Sequence, residues 1–157
     1  MKNAIQITSD LYQRFVLTGT IWLGHLFLLA VRIVWGWQFF QAGKGKLGDI
    51  SQVTGYFKTL GIPLPKLNAI VASNTECFGG LLLLLGLGSR LISLPLTITM
   101  IVAYITADRE AFGSLDKFVA AAPFPFLMAS LIVLFFGPGF FSVDRIIRYF
   151  VDKNKPA

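Results

Sequence analysis

The chain carries little charge and almost none of the side chains that bind metals or form disulfides. Only 14% of its 157 residues are charged, whereas 55% are hydrophobic. Soluble domains carry about 25% charged residues, so the polar surface is too small to cover a water-facing globule. The lone Cys77 excludes an intrachain disulfide and a Cys-x-x-Cys redox pair. With one histidine, His25, there are also too few ligands for a haem or zinc site within one chain.

The excess of positive charge is explained by contacts with lipid headgroups at the membrane surface. The net charge is +6 and the sequence pI is near 9.7. Most lysines and arginines lie outside the apolar runs, where they would meet lipid headgroups. The sequence has no basic helix and no zinc or RNA-recognition pattern. The composition therefore predicts a lipid bilayer as the partner and excludes nucleic acid.

The apolar runs predict an all-α fold, an integral membrane four-helix bundle with short interfacial helices. About 20 apolar residues are needed for each span. The predicted spans are 21–42, 67–87, 91–107 and, with a break at Pro123 and Pro125, about 118–136. The predicted domains are an interfacial segment (1–19), a four-span membrane domain (20–138) and a C-terminal interfacial helix and tail (139–157).

The connecting segments carry the usual turn signals. Three glycines and two lysines in GKGKLGDI, residues 43–50, predict the end of the first span. The spacing of Val53, Tyr56, Phe57 and Leu60 then predicts a short amphipathic helix, lying on the membrane or tucked against the bundle. GIPLP, residues 61–65, ends it.

Four spans place both termini on one side of the membrane. The terminal side carries seven lysines and arginines and the opposite side six. This margin favours cytoplasmic termini in a multi-pass protein of the inner membrane.

Two opposite charges lie inside the predicted spans. Arg32 is midway along the first span, and Glu76 is the only formal charge between residues 67 and 87. A charge at mid-membrane costs about 2.5–3.5 kcal/mol or more, so each needs a partner. Because spans joined by one short connection run antiparallel and side by side, we expect Arg32 and Glu76 to pair. The pair could serve only to fix the helices or could line a ligand pocket.

Other residues could extend such a pocket. His25 precedes Arg32 by two helical turns and lies on the same face. Polar side chains on the spans, each of which could equally form a helix–helix hydrogen bond, include Gln38, Asn74, Thr97 and Tyr104. Gly79 and Gly80 predict close helix packing, and Cys77 is interpreted as a small buried residue.

Three stretches together resemble the DoxX family of small four-helix membrane proteins. The first is Arg32 followed by Gly43-Lys44-Gly45-Lys46-Leu47. The second is Glu76-Cys77-Phe78-Gly79-Gly80 with Leu84-Leu85-Gly86 and Arg90, and the third is Gly137-Pro138-Gly139 with Ser142 and Asp144. The resemblance covers about residues 20–145.

The resemblance implies a redox role. Family members are described as oxidoreductases, and some are subunits of thiosulfate:quinone oxidoreductase. It implies a quinone as the cofactor, with a partner redox subunit or a second copy of the chain as candidate partners. Glu76 and Arg32 are then the catalytic candidates, and the ligand-binding candidates are His25, Gln38, Lys46, Asn74 and Tyr104. Two alternatives are a non-catalytic membrane scaffold or assembly factor and, third, a transporter.

Overall fold

The structure, a computed structural model, describes residues 4–154, without the side chains of residues 4–11, 14 and 15. Within this range the chain is helical and contains no strand. The helices are α1 (Ala4–Gly48), α2 (Ile50–Thr59), α3 (Pro65–Leu85), α4 (Ser89–Thr106), α5 (Leu115–Ala120), α6 (Phe124–Phe136) and α7 (Val143–Lys153), with a 3-10 turn (Arg109–Gly113) before α5. The predicted all-α membrane bundle is confirmed.

The first helix is longer than predicted. α1 ends at Gly48, within the segment 43–50 that was predicted to end it but beyond the predicted bound at residue 42. Gly36 and Gly43 face α3, where the missing side chains let the two backbones approach closely, whereas a Cβ atom on Gly45 or Gly48 would have no neighbour within 4 Å. A Cβ atom on Gly36 would lie 2.8 Å from the Leu84 amide nitrogen, and one on Gly43 would overlap the backbone of Cys77. These glycines therefore join two helices instead of ending one.

Within residues 4–154, three helices are long and apolar enough to cross a membrane. They are residues 16–48 of α1, α3 and α4. α3 and α4 lie within two residues of the predicted bounds. The predicted fourth span is interrupted between α5 and α6, as the two prolines suggested, and α6 has only 13 residues. At about 20 Å, α6 alone is shorter than the hydrocarbon core, so a fourth crossing stays a prediction.

The packed interior lies where α4 meets α6 and where α1 meets α3. Phe39, Leu83, Leu96 and Val133 are completely buried. Gly79 abuts Leu96 of α4, and its neighbour Gly80 abuts the α1 backbone. The predicted packing role of both glycines is confirmed. Cys77, which follows Glu76 in the sequence, is buried, as predicted.

The two short amphipathic helices were both predicted, and they differ in placement. α2 begins where Asp49 accepts a hydrogen bond from the Gln52 amide at 2.9 Å, and it packs along α3. It is therefore tucked against the bundle. α7 buries none of its residues and exposes Ile146, Ile147 and Phe150. Its location at the membrane surface stays a prediction.

Candidate functional site

Glu76 is paired with a lysine at the far end of α1. The Lys46 ammonium lies 2.5 Å from Glu76 Oε1 and 2.6 Å from Oε2, so both carboxylate oxygens accept from the same group. Glu76 is 2% exposed, whereas the Lys46 side chain is 36% exposed. The carboxylate is thus buried behind a partner that other molecules can reach.

The exposed side of this ion pair faces a cavity. The cavity has a volume of about 730 Å³ and lies between α2, α3 and α4. Most of its wall is apolar. Its apolar walls include Tyr56, Phe57, Leu60, Val71, Ile98 and Val102, and its polar groups include Lys46, Gln52, Asn68, Glu76 and Arg109. Binding sites for small molecules are commonly of this size and this composition.

The predicted pairing of Arg32 with Glu76 is wrong. Arg32 donates to the carbonyl oxygens of Leu83 and Leu84, at 3.0 Å each, at the end of α3. Glu76 instead lies level with Gly43, about 16 Å further along α1 at 1.5 Å per residue. Both charges looked central only because α1 was expected to end near residue 42. The two charges occupy different levels of the same helix pair.

Arg32 belongs to a separate cluster, which we call the Arg32 cluster, at the end of the bundle where α3 turns into α4. Its Nη1 donates to the carbonyls of Pro138 and Phe141, at 2.7 Å each, in the turn between α6 and α7. Four of the five guanidinium N–H groups thus bind backbone oxygens. With 1% of the residue exposed, Arg32 fastens α1, α3 and the α6–α7 turn together.

Asp144 completes the Arg32 cluster from the opposite side. Its carboxylate accepts from the amides of Gly88, at 2.7 Å, and Ser89, at 3.1 Å, which open α4. Its own amide donates to the Gly86 carbonyl at 3.0 Å. A carboxylate at a helix N-terminus is stabilised by the helix dipole. Arg32 and Asp144, two of the residues on which the family resemblance rests, therefore make contacts that hold the helices together at this end of the bundle.

The remaining predicted ligand-binding residues do not gather at one place. His25 lies on the opposite end of the bundle from Glu76, beside the α6–α7 turn. Gln38 is exposed, and the Asn74 amide donates to the Ile70 carbonyl of its own helix. The Tyr104 hydroxyl donates to the Phe118 carbonyl at 2.7 Å. Among the predicted site residues, the structure brings together Lys46 and Glu76.

Sequence reasoning missed the contribution of α2 and the link between Lys46 and Glu76. A signal was present, because Arg32, Gly36, Phe39, Gly43 and Lys46 follow a spacing of four, three, four and three residues. This spacing marks one continuous helical face. Following it through the glycines would have placed Lys46 on the face that meets α3.

The fold and the ion pair define a multi-pass, all-helical membrane protein with a charged group buried beside an apolar cavity. The DoxX family profile matches residues 27–109, more than half of the chain. The chain belongs to the DoxX family, as its motifs suggested.

A curated relative extends this comparison. The Bacillus subtilis (strain 168) protein named "Putative oxidoreductase CatD" is 28% identical over 121 residues, which cover 76% of this chain and 85% of that protein. No solved structure matches the chain.

Proposed function

We propose that the chain is a redox-associated membrane subunit that binds a quinone in the cavity between α2, α3 and α4. One observation carries the proposal, namely the Lys46–Glu76 ion pair set into the wall of a largely apolar cavity. The oxidoreductase name of the relative supports the redox class. A link to thiosulfate:quinone chemistry belongs to the proposal through the family resemblance.

The cavity has a polar part that could bind the carbonyl oxygens of a quinone and an apolar part that could bind its ring and tail. A quinone accepts two electrons and two protons when it is reduced to the quinol. The Lys46 ammonium can donate a hydrogen bond to a carbonyl oxygen, and Glu76 can hold or release a proton through the same contact. The apolar walls formed by α2 and α4 can bury a ring and the start of an isoprenoid tail.

The proposal assigns different roles to the predicted catalytic residues. Glu76 and Lys46 form the polar end of the site. Arg32 does not line this cavity, and four of its donors are occupied by carbonyl oxygens, a geometry that favours a structural role. We assign the site to the membrane domain, residues 20–138, of an inner-membrane protein with cytoplasmic termini. The electrons would come from a partner redox subunit.

Binding of ubiquinone-1 to the full chain in detergent, measured by isothermal titration calorimetry, tests the proposal. Lys46→Met should weaken binding by about tenfold to a hundredfold, because a hydrogen bond from a charged group is worth about 1.5–3 kcal/mol. Lys44→Met is the matched control, since Lys44 is exposed and does not line the cavity. Ala72→Phe should also weaken binding by filling the cavity while leaving both charges in place.

The scaffold alternative predicts the opposite result. A folded Lys46→Met/Glu76→Gln variant that binds ubiquinone-1 as tightly as the wild type would remove the ion pair from the site. The polar groups would then serve only to fix the register of the helices.

A further inference from the structure

A second cavity opens at the other end of the bundle, beside the Arg32 cluster. It has a volume of about 480 Å³ and is bounded by the start of α4, the end of α6 and the first two turns of α7. Three arginines line it, Arg90 from α4 and Arg145 and Arg148 from α7. Arg145 and Arg148 are three residues apart, so they lie on one face of that helix.

The lining of this cavity carries an excess of positive charge. Its charged residues are the three arginines and one carboxylate, that of Asp144. Each Asp144 oxygen already accepts from a backbone amide that opens α4. Three positive charges against one negative charge leave the lining with a formal charge of +2. Such an arrangement attracts an anion.

Two of the guanidinium groups are held in position by neutral contacts. Arg145 lies over the Phe140 ring, 5.3 Å from its centroid. Arg90 donates to the Phe135 carbonyl at 3.4 Å and lies against Gly137, where a Cβ atom would be 3.2 Å from its Nε. Contacts of this kind orient a guanidinium without neutralising it. The remaining N–H groups can bind the oxygens of a phosphate.

The location of the cavity indicates which phosphate it meets. It lies where α3 ends and α4 begins, and the ends of membrane-crossing helices lie near the lipid headgroups. Trp22 packs against Phe140 beside it, with ring centroids 5.7 Å apart, and aromatic residues favour this depth. The exposed apolar stripe of α7, Ile146, Ile147 and Phe150, suits the acyl region beneath the headgroups.

We propose that the cavity lined by Arg90, Arg145 and Arg148 binds a phosphate group, and specifically the headgroup phosphate of an anionic phospholipid. The arginines would bind the phosphate oxygens while α7 rests on the acyl chains of the same leaflet. The proposal is independent of the quinone cavity, which lies at the other end of α3. It gives α7 a defined attachment to the membrane.

Native mass spectrometry of the full chain tests the proposal with phosphatidylglycerol and phosphatidylcholine as competing probes. The wild type should retain phosphatidylglycerol in preference to phosphatidylcholine. Replacing all three arginines by glutamine should reduce that preference by about fivefold for each arginine lost. The control variant Lys58→Gln/Lys66→Gln/Lys117→Gln removes the same charge from exposed positions outside both cavities.

Two further measurements distinguish the possible outcomes. Circular dichroism checks that the arginine variant is folded, and the corresponding triple Arg→Lys variant should recover part of the preference. Equal loss of preference in the lysine control, or no loss in a folded arginine variant, would overturn the site. If glycerol 1-phosphate binds in an arginine-dependent way while phosphatidylglycerol shows no preference, the site takes a soluble phosphate and the lipid assignment is wrong.

Discussion

The Arg32 cluster and the Lys46–Glu76 pair both involve α1 and α3, and each contains a buried charge. The partners of the two charges differ in how accessible they are. Arg32 donates to carbonyl oxygens of two segments, the end of α3 and the α6–α7 turn, and it is 1% exposed. Glu76 is equally buried, but its counter-charge Lys46 is 36% exposed and faces a cavity. Burial alone therefore does not separate a structural charge from a candidate functional one.

The difference lies in what remains free on the partner group. The donors of Arg32 bind backbone oxygens, which cannot leave without opening helix ends. Lys46 has three N–H groups and contacts one carboxylate, so it can exchange a partner at little structural cost. We infer that the accessible pair can respond to a ligand, whereas the Arg32 cluster fixes the fold.

The largest expected effect is the loss of Arg32. Arg32→Met would leave the carbonyl oxygens of Leu84, Pro138 and Phe141 without a donor, whereas that of Leu83 keeps the Gly86 amide. Each buried oxygen without a donor costs about 1–3 kcal/mol, so we expect a loss of at least about 3 kcal/mol in the free energy of unfolding, measured by denaturant titration in detergent. Arg32→Lys should recover little, because one ammonium cannot reproduce the planar guanidinium contacts with both the end of α3 and the α6–α7 turn. If the Arg32→Met protein is folded and nearly as stable as the wild type, Arg32 does not have the structural role assigned to it.

A smaller effect is expected at the ion pair. Lys46→Met alone leaves the Glu76 charge without its partner and should cost about 2–3 kcal/mol, near the lower end for a buried pair because Lys46 is partly exposed. The Lys46→Met/Glu76→Gln double variant should regain most of this, since no unpaired charge remains. Thermal unfolding of both single variants and the double variant forms the cycle. Strictly additive losses would mean that the two residues do not interact.

The smallest effect is expected at Cys77, which lies next to Glu76 but belongs to the packing between α1 and α3. Cys77→Ala removes one buried sulfur atom and should cost about 1 kcal/mol or less. Unfolding and ubiquinone-1 binding should both stay close to wild type. If binding is lost while the fold is intact, Cys77 acts as a reactive thiol and the site extends beyond the ion pair.

Much of the fold could be predicted from hydrophobic runs and turn residues. α3 and α4 were predicted with nearly their observed bounds, a helix was expected within residues 139–157, where α7 lies, and the interruption at Pro123 was expected. These elements are governed by local rules, since apolar length sets a span and proline interrupts a helix. The end of α1 was predicted too early, at residue 42, because Gly43 faces the α3 backbone and does not mark a turn.

The site was predicted only in part, for a geometric reason. Glu76 was selected because an isolated charge in an apolar run needs a partner, and that reasoning held. The choice of partner depended on the relative height of α1 and α3, and no local pattern in either helix fixes that height. The contact of Gly43 with Cys77 sets it. The cavity also depends on α4 lying opposite α2, and these two helices are far apart in the sequence.

The continuous α1 has a consequence for how the protein sits in a bilayer. The stretch of α1 from residue 16 to residue 43, before Lys44, has about 28 residues and is about 42 Å long, against a hydrocarbon core of about 30 Å. An average tilt of about 20° shortens this projection only to about 39 Å. Toward the start of this stretch, Leu23, Leu26 and Phe27 are exposed. Hydrophobic mismatch at this end of α1 therefore favours a steep inclination of the helix, local thickening of the bilayer or association with another helix.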